Sequence, residues 1–429
     1  MNRILFDTVV STLSNGLTLI TIKRDTQLAA LNIGVKVGAV CENENERGVS
    51  HFIEHMLFKG TTTRSNEELN SELENLGGEY NAYTDYTSTV FNTTTLNEEF
   101  PKALELLSDL VQNPTFNSED MEKERGVILA EIRSGKDDVE DLSFGMINDM
   151  AFEKSSLKVD VIGKEHIVKR LTREDLLKYY NNHYSPDNTV ISIVSALDHD
   201  HVKEMVEKSF SKWNRGTENK VKLEFEKNRS EYRVTHRDNM EQSTILYLYT
   251  FSGLSKKEEL ALRVFNHKFG ESSNSILFRE LRENKGLAYD VYTSLDITND
   301  LKTLYIYSAV APEEVEDTIT TIDQCISDIK ERKIKFDKGT IDLMKKVFKT
   351  AVASTLEDSS DLANYVVHQA MDNENIYQFN EDMENLNDID AGDLYAVADK
   401  VLNDPTIHVL LCHKHRYNSD NDERGNTGE

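Results

Sequence analysis

Two histidines four residues apart, with a glutamate between them, are where this chain could do chemistry: His51-Phe52-Ile53-Glu54-His55. On a helix, residues four apart stack on one face, so both imidazoles can reach a single ion, and imidazole at that spacing suits zinc. Glu54, one residue before His55, projects beside the same face. A carboxylate placed there can hold water against the ion without ligating it and accept the water's proton. The chain holds 12 histidines, and chance produces the pattern in roughly one such chain in thirty. The competing interpretation is a surface helix with solvated side chains. Phe52, Ile53, Met56, Leu57 and Phe58 argue against it, because they make the helix apolar nearly all round, and buried imidazoles need partners.

A catalytic zinc takes three protein ligands and keeps one position open. The acid-rich stretch 118–138 is the obvious source of the third. Glu131 follows Val127 and Ile128 by four and three residues and is expected to share their apolar stripe. Glu124, two turns earlier, falls on a similar face. Glu131 as ligand, with Glu124 as a carboxylate behind the ligands, fits helical geometry. The stretch offers many carboxylates, however, and spacing alone does not choose among them.

The elements that must hold these groups follow from periodicity. Residues 11–25 read strand, Asn-Gly turn, strand; 28–42 read as a buried strand; 48–60 form the short histidine helix; 65–78 an amphipathic helix; 79–96 a Thr- and aromatic-rich strand. Helical patterns follow at 98–112 and 118–153, then a strand at 189–197 and a helix at 200–211. The second half repeats the order, with a strand at 243–251, helices at 256–270 and 274–286, and a strand at 287–295. An offset of 208 residues matches Asn66 with Asn274, Leu69 with Leu277, Glu72 with Glu280, Leu73 with Leu281 and Gly78 with Gly286, which suggests a duplicated domain. The expected fold class is α+β: two homologous domains, 1–214 and 233–416, each a mostly antiparallel sheet packed with helices. A polar linker, 215–232, joins them, and a tail, 417–429, is expected to be disordered.

Composition removes whole classes of function. Among 429 residues, 76 acids against 49 lysines and arginines give a net charge of −27, the wrong sign for a nucleic-acid backbone or an anionic membrane surface. No apolar run reaches the roughly 18 residues a membrane span needs. The N-terminus carries neither a secretory h-region nor an Arg-rich, acid-free leader. Cys41, Cys325 and Cys412 are too few and too scattered for a disulfide framework, so a reducing compartment is expected. Cys412-His413-Lys414-His415 reads as a strand end with solvated histidines, and His199-Asp200-His201 as capping and solvated groups.

The segment GVSHFIEHMLFKGT resembles the zinc-helix signature of the pitrilysin-type (M16) metallopeptidases, the family of insulin-degrading enzyme, mitochondrial processing peptidase and bacterial processing-type proteases. That family's third ligand lies about 76 residues after the second histidine in a segment E-R-x-V-I-x-x-E. Here Glu124-Arg125-Gly126-Val127-Ile128-Leu129-Ala130-Glu131 stands at that distance from His55. The resemblance implies that His51, His55 and Glu131 bind one Zn2+ per chain, that Glu54 is the general base, and that Glu124 is the auxiliary carboxylate. It places Asn81 and Ala82, in GGEYNAYTDYT, on a substrate-binding edge strand. It also makes Arg282 and Tyr289, in FRELRENKGLAY, groups that reach over the scissile bond from the opposite half of a chamber. The helix at 256–270 has no H-x-x-E-H, so one zinc per chain is expected. The implied fold is the metallohydrolase fold of the processing peptidases.

Taken together, these features predict a zinc endopeptidase, cytoplasmic and bacterial, acting on peptides. By resemblance to short family members, two chains would close as a clam-shell homodimer, with Arg282 and Tyr289 acting in trans. One alternative is a non-catalytic scaffold or partner subunit, which the intact ligand set disfavours. Another is a mitochondrial presequence-processing subunit, which the acid-bearing N-terminus disfavours.

Overall fold

The computed structural model describes residues 4–216, 225–238, 240–298 and 301–413. The stretch 217–224 of the expected linker and the whole expected tail lie outside these residues. Apolar residues alternating with polar ones make half-buried strands, and continuous runs such as Thr189–Ser195 make strands buried on both faces. Among the described residues, eleven strands assemble into two sheets. The first contains β1 (Asp7–Thr12), β2 (Thr18–Lys23), β3 (Leu28–Val35), β4 (Glu79–Thr84), β5 (Thr89–Leu96) and β6 (Thr189–Ser195), in the order β1-β2-β6-β3-β5-β4. The second contains β7 (Tyr232–Asp238), β8 (Ser243–Thr250), β9 (Ala288–Thr298), β10 (Leu301–Val310) and β11 (Thr406–His413), in the order β7-β11-β8-β10-β9.

The sheets repeat one another strand for strand. From β2 onward, the first runs β2-β6-β3-β5-β4, and its parallel pair, β2 with β6, corresponds to β7 with β11. Every other pairing is antiparallel. The expected α+β class, with two homologous, mostly antiparallel domains, is what the chain adopts. Helices repeat as well: Ser118–Asp137 and Val139–Ala151 in the first half correspond to Lys338–Glu357 and Ser359–Met371 in the second.

Several elements differ from the sequence expectation, the first two for a local reason. The strand expected over 79–96 is a hairpin, because the Asp85 carboxylate accepts from the Thr87 and Ser88 amides, both at 2.6 Å, and closes a turn. The helix expected over 118–153 stops at Asp138, whose side chain accepts from the Glu140 and Asp141 amides and starts a new helix. In the second half, both expected helices end as π-turns, His267–Glu271 and Arg279–Asn284.

Sequence halves and packing units do not coincide. Helix Val139–Ala151, from the first half, covers one face of the second sheet: Ile147, Ala151 and Phe152 pack with Leu246, Leu248 and Tyr307, and Ser143 Oγ lies 2.6 Å from Thr244 Oγ1. In return, helix Ser359–Met371 covers the first sheet, packing Leu362, Val366 and Val367 against Ile20, Ile22 and Val194. Ser192 donates to the Ala363 carbonyl at 2.6 Å across that contact. Residues 225–232 are also tied to the body, since Glu226 accepts from the Glu153 and Lys154 amides and β7 already begins at Tyr232. Among the described residues, no helix is long and apolar enough to cross a membrane.

Candidate metal centre

The histidine helix runs from Val49 to Leu57 and buries Val49, Phe52, Ile53, Met56 and Leu57 in the first domain's core. Its N-terminus has no side-chain cap of its own. The Glu42 carboxylate fills that role from outside the helix, one oxygen accepting from Gly48 N and the other from Ser50 N, both at 2.8 Å. Gly48 sits at φ +96°, and a Cβ there would meet the Ile162 carbonyl oxygen at 2.6 Å, so only glycine lets the two backbones cross.

With the helix so held, the rings of His51 and His55 stand 4.6 Å apart between centroids. Glu131, on the long helix Ser118–Asp137, completes a group whose ligand atoms all lie within 4.8 Å of one another. His55 Nε2 is 3.6 Å from Glu131 Oε2, while His55 Nδ1 is 3.0 Å from Glu124 Oε2. Four-coordinate zinc, with bonds of about 2.0–2.2 Å, holds its donor atoms roughly 3.3–3.6 Å apart, so this spacing suits it. Glu124 is 8 % exposed and also pairs with Lys59 at 2.9 Å. With the proton on Nδ1, His55 donates to Glu124, and its Nε2 is left free to ligate an ion on the side of Glu131. The buried Nδ1 of His51 has no hydrogen-bond partner, and nitrogen ligation at this ring would offset the cost of burying it.

The acid–base groups are set by burial. Burial, reinforced by the neighbouring His55, lowers the His51 pKa to about 4, so its ring stays neutral and available as a ligand. Burial also raises the Glu54 carboxyl above the usual range, opposed by its hydrogen bond to Thr84 and by His55. That direction suits a carboxylate that must accept a proton near neutral pH. Thr84 Oγ1 donates to Glu54 Oε2 at 2.6 Å. Neither Thr84 nor Glu42 stood out in the sequence. Thr84 is one of several threonines in a Thr-rich strand, and Glu42 lies in an acidic loop.

Glu131 reaches the cluster for a reason other than the one expected. Ile128 is fully buried, but Val127 is 44 % exposed, so no common apolar stripe carries Glu131 inward. It is half-buried, on the face that looks across at the histidine helix. A cavity of about 740 Å³ opens beside it, lined by Asp141, Asp149 and Asp160 from the first half and by Arg233, Thr235 and His408 from the second.

The other expected site residues lie on two separate elements. Asn81 and Ala82 are on β4, the outer strand of the first sheet, and the Ala82 amide donates to Asn81 Oδ1 at 2.9 Å. The free side of that edge is open to an added strand. Arg282 and Tyr289 lie in the second domain, where Arg282 Nη1 donates to the Tyr289 carbonyl at 2.7 Å and Tyr289 is 57 % exposed. Among the described residues, no hydrogen bond or ion pair joins either to the His51–His55–Glu131 group. His199 is not the solvated group expected: it bridges Thr21 Oγ1 at 2.6 Å and Asp7 at 3.1 Å. Cys412 is buried, while the side chains of residues 413–415 lie outside the described set. No second metal-ligating group occurs among the described residues.

Residues 18–165 match the model of the insulinase family (peptidase family M16), and residues 170–347 match that of the peptidase M16 inactive domain. An uncharacterized zinc protease of Rickettsia felis is 32% identical over 72% of this chain and 74% of that protein. The beta subunit of the mitochondrial-processing peptidase of Bos taurus is 34% identical over 48% of this chain and 42% of its own length. The crystal structure of a protease from Helicobacter pylori superposes with a TM-score of 0.88 at 22% identity, covering 96% of this chain and 100% of that one.

Proposed function

The chain belongs to the insulinase family of peptidases (M16), and from that premise we propose that it is a zinc-dependent endopeptidase acting on extended peptides. The observation that carries the proposal is the convergence of His51, His55 and Glu131 with Glu54 beside them, its carboxylate held by Thr84 rather than by a ligand's ring. When bound, zinc supplies Lewis-acid polarisation of the scissile carbonyl and an acidified water. Glu54 takes a proton from the attacking water and delivers it to the departing amine nitrogen. Asn81 and Ala82 on the free edge of β4 hold the substrate main chain as an added strand. Glu124 fixes the tautomer of His55.

Arg282 and Tyr289 stabilise the oxyanion from the second domain of another copy, in a clam-shell homodimer. Their exposure and their lack of contact with the metal group of their own chain support a role in trans. The free thiols Cys41, Cys325 and Cys412 fit a reducing, cytoplasmic setting.

Cleavage of a quenched fluorescent peptide by wild type and by Glu54→Gln, with zinc measured on both, tests the proposal. The expected result is an active wild type, an inactive variant, and about one zinc per chain in each. A zinc-loaded wild type inert across a broad peptide library would instead favour a scaffold or partner subunit.

A further inference from the structure

The edge strand that would receive substrate also grips the proposed base. Thr84, the last residue of β4, gives its only hydroxyl hydrogen to Glu54 Oε2, 2.6 Å away, since a carboxylate there can only accept. The Thr89 hydroxyl, 3.5 Å from Thr84 Oγ1 on β5, is committed elsewhere: it donates to the Val37 carbonyl at 2.8 Å. Its oxygen could still accept from Thr84, but at 3.5 Å against 2.6 Å the Glu54 carboxylate is the stronger partner. One carboxylate oxygen of Glu54 is held by the strand, and Oε1 is left for the water. Side chains alternate along a strand, so Tyr83 points the opposite way. Its hydroxyl is 2.7 Å from Asn364 Oδ1 and 2.6 Å from His368 Nε2, both on helix Ser359–Met371 of the second half. The end of β4 is thus pinned on both faces, by one half of the chain through Tyr83 and to the base through Thr84.

We propose that Thr84 is a positioning residue for Glu54: its hydroxyl holds the carboxylate facing the substrate strand and keeps it from swinging onto the metal. The inference rests on the peptidase reading of the site. A carboxylate within reach of a divalent ion becomes a ligand unless something else holds it, and a base that has become a ligand no longer accepts protons. The strand that aligns the scissile bond would then also align the base, so substrate and base share one reference point.

The test compares Thr84→Val, which keeps the shape and removes the donor, with Thr84→Ser, which keeps the donor. On a quenched fluorescent peptide, Thr84→Val is expected to lower kcat by about 10–100-fold with KM within about twofold of wild type, and Thr84→Ser to restore most of the rate. A second readout does not depend on turnover. The visible spectrum of cobalt-substituted Thr84→Val should depart from that of wild type as Glu54 joins the metal, and the double variant with Glu54→Gln should return to the spectrum of Glu54→Gln alone. An active wild type whose Thr84→Val variant matches it in kcat and in cobalt spectrum overturns the role of Thr84 alone. A wild type that neither binds metal nor cleaves peptide overturns both this inference and the peptidase reading beneath it.

Discussion

Glu124 and His55 are joined at 3.0 Å between a carboxylate oxygen and Nδ1, and the same carboxylate takes Lys59 on its other oxygen at 2.9 Å. In a zinc-loaded site the contact would orient a ligand without touching the ion. Glu124→Gln should therefore leave the fold intact and lower zinc affinity about 10–100-fold, measured by competition against a chromogenic chelator. Wild-type affinity in the variant would mean that the ring of His55 needs no such support.

If Arg282 and Tyr289 serve the neighbouring chain, two inactive variants should rescue each other. Glu54→Gln and Arg282→Ala are each expected to cleave poorly alone. Mixed and allowed to exchange subunits, they form dimers in which one site carries both Glu54 and a partner's arginine. Activity should then rise toward about a quarter of wild type. No rise, with exchange verified by labelled subunits, would count against action in trans.

Glu42 makes the stability of the metal helix depend on pH. Burial raises its carboxyl to about 7, although the Gly48 and Ser50 amides and Arg47 pull the other way. The folded state then binds this proton more tightly than the unfolded chain, whose glutamate titrates near 4.5. The stability Glu42 contributes is complete below the unfolded value and is lost as pH rises through about 7. The loss is on the order of 3 kcal/mol. Urea midpoints of the metal-free protein between pH 4.5 and 8 should fall more steeply in wild type than in Glu42→Gln, and parallel curves would exclude the effect.

The interlock between halves can be tested at Gly34. A Cβ there would lie 2.7 Å from Met371 Sδ and 2.9 Å from Val367 Cγ2, both on the helix lent by the second half. Gly34→Ala should destabilise the chain by about 1–3 kcal/mol through overpacking. The companion Met371→Ala should recover part of that loss, since it removes the nearer clash. Additive losses in the double variant would place the strain elsewhere.

Local order was legible in the residues. His51, Glu54 and His55 share a face because helical periodicity acts over four residues, and the apolar run around them says that the face is buried. The Asn-Gly turn between β1 and β2, the alternating strands and the repeated order of elements are likewise short-range facts. The breaks at Asp85 and Asp138 were missed because one aspartate competing for two backbone amides overrides a hydrophobic pattern that runs on through it.

What only the tertiary structure decided are meetings between residues far apart in the chain. Helical spacing left Glu131 one carboxylate among many, and family resemblance singled it out; the crossing of two helices sets it 3.6 Å from His55 while Val127, four residues earlier, stays exposed. Thr84 is an ordinary strand threonine until the fold lays β4 against the histidine helix. The exchange of helices Val139–Ala151 and Ser359–Met371 has no local signature, since an amphipathic helix states that it needs an apolar partner but not which sheet supplies one. Periodicity acts through the covalent chain and can be read from it, whereas the choice of partner is settled by whole-molecule packing.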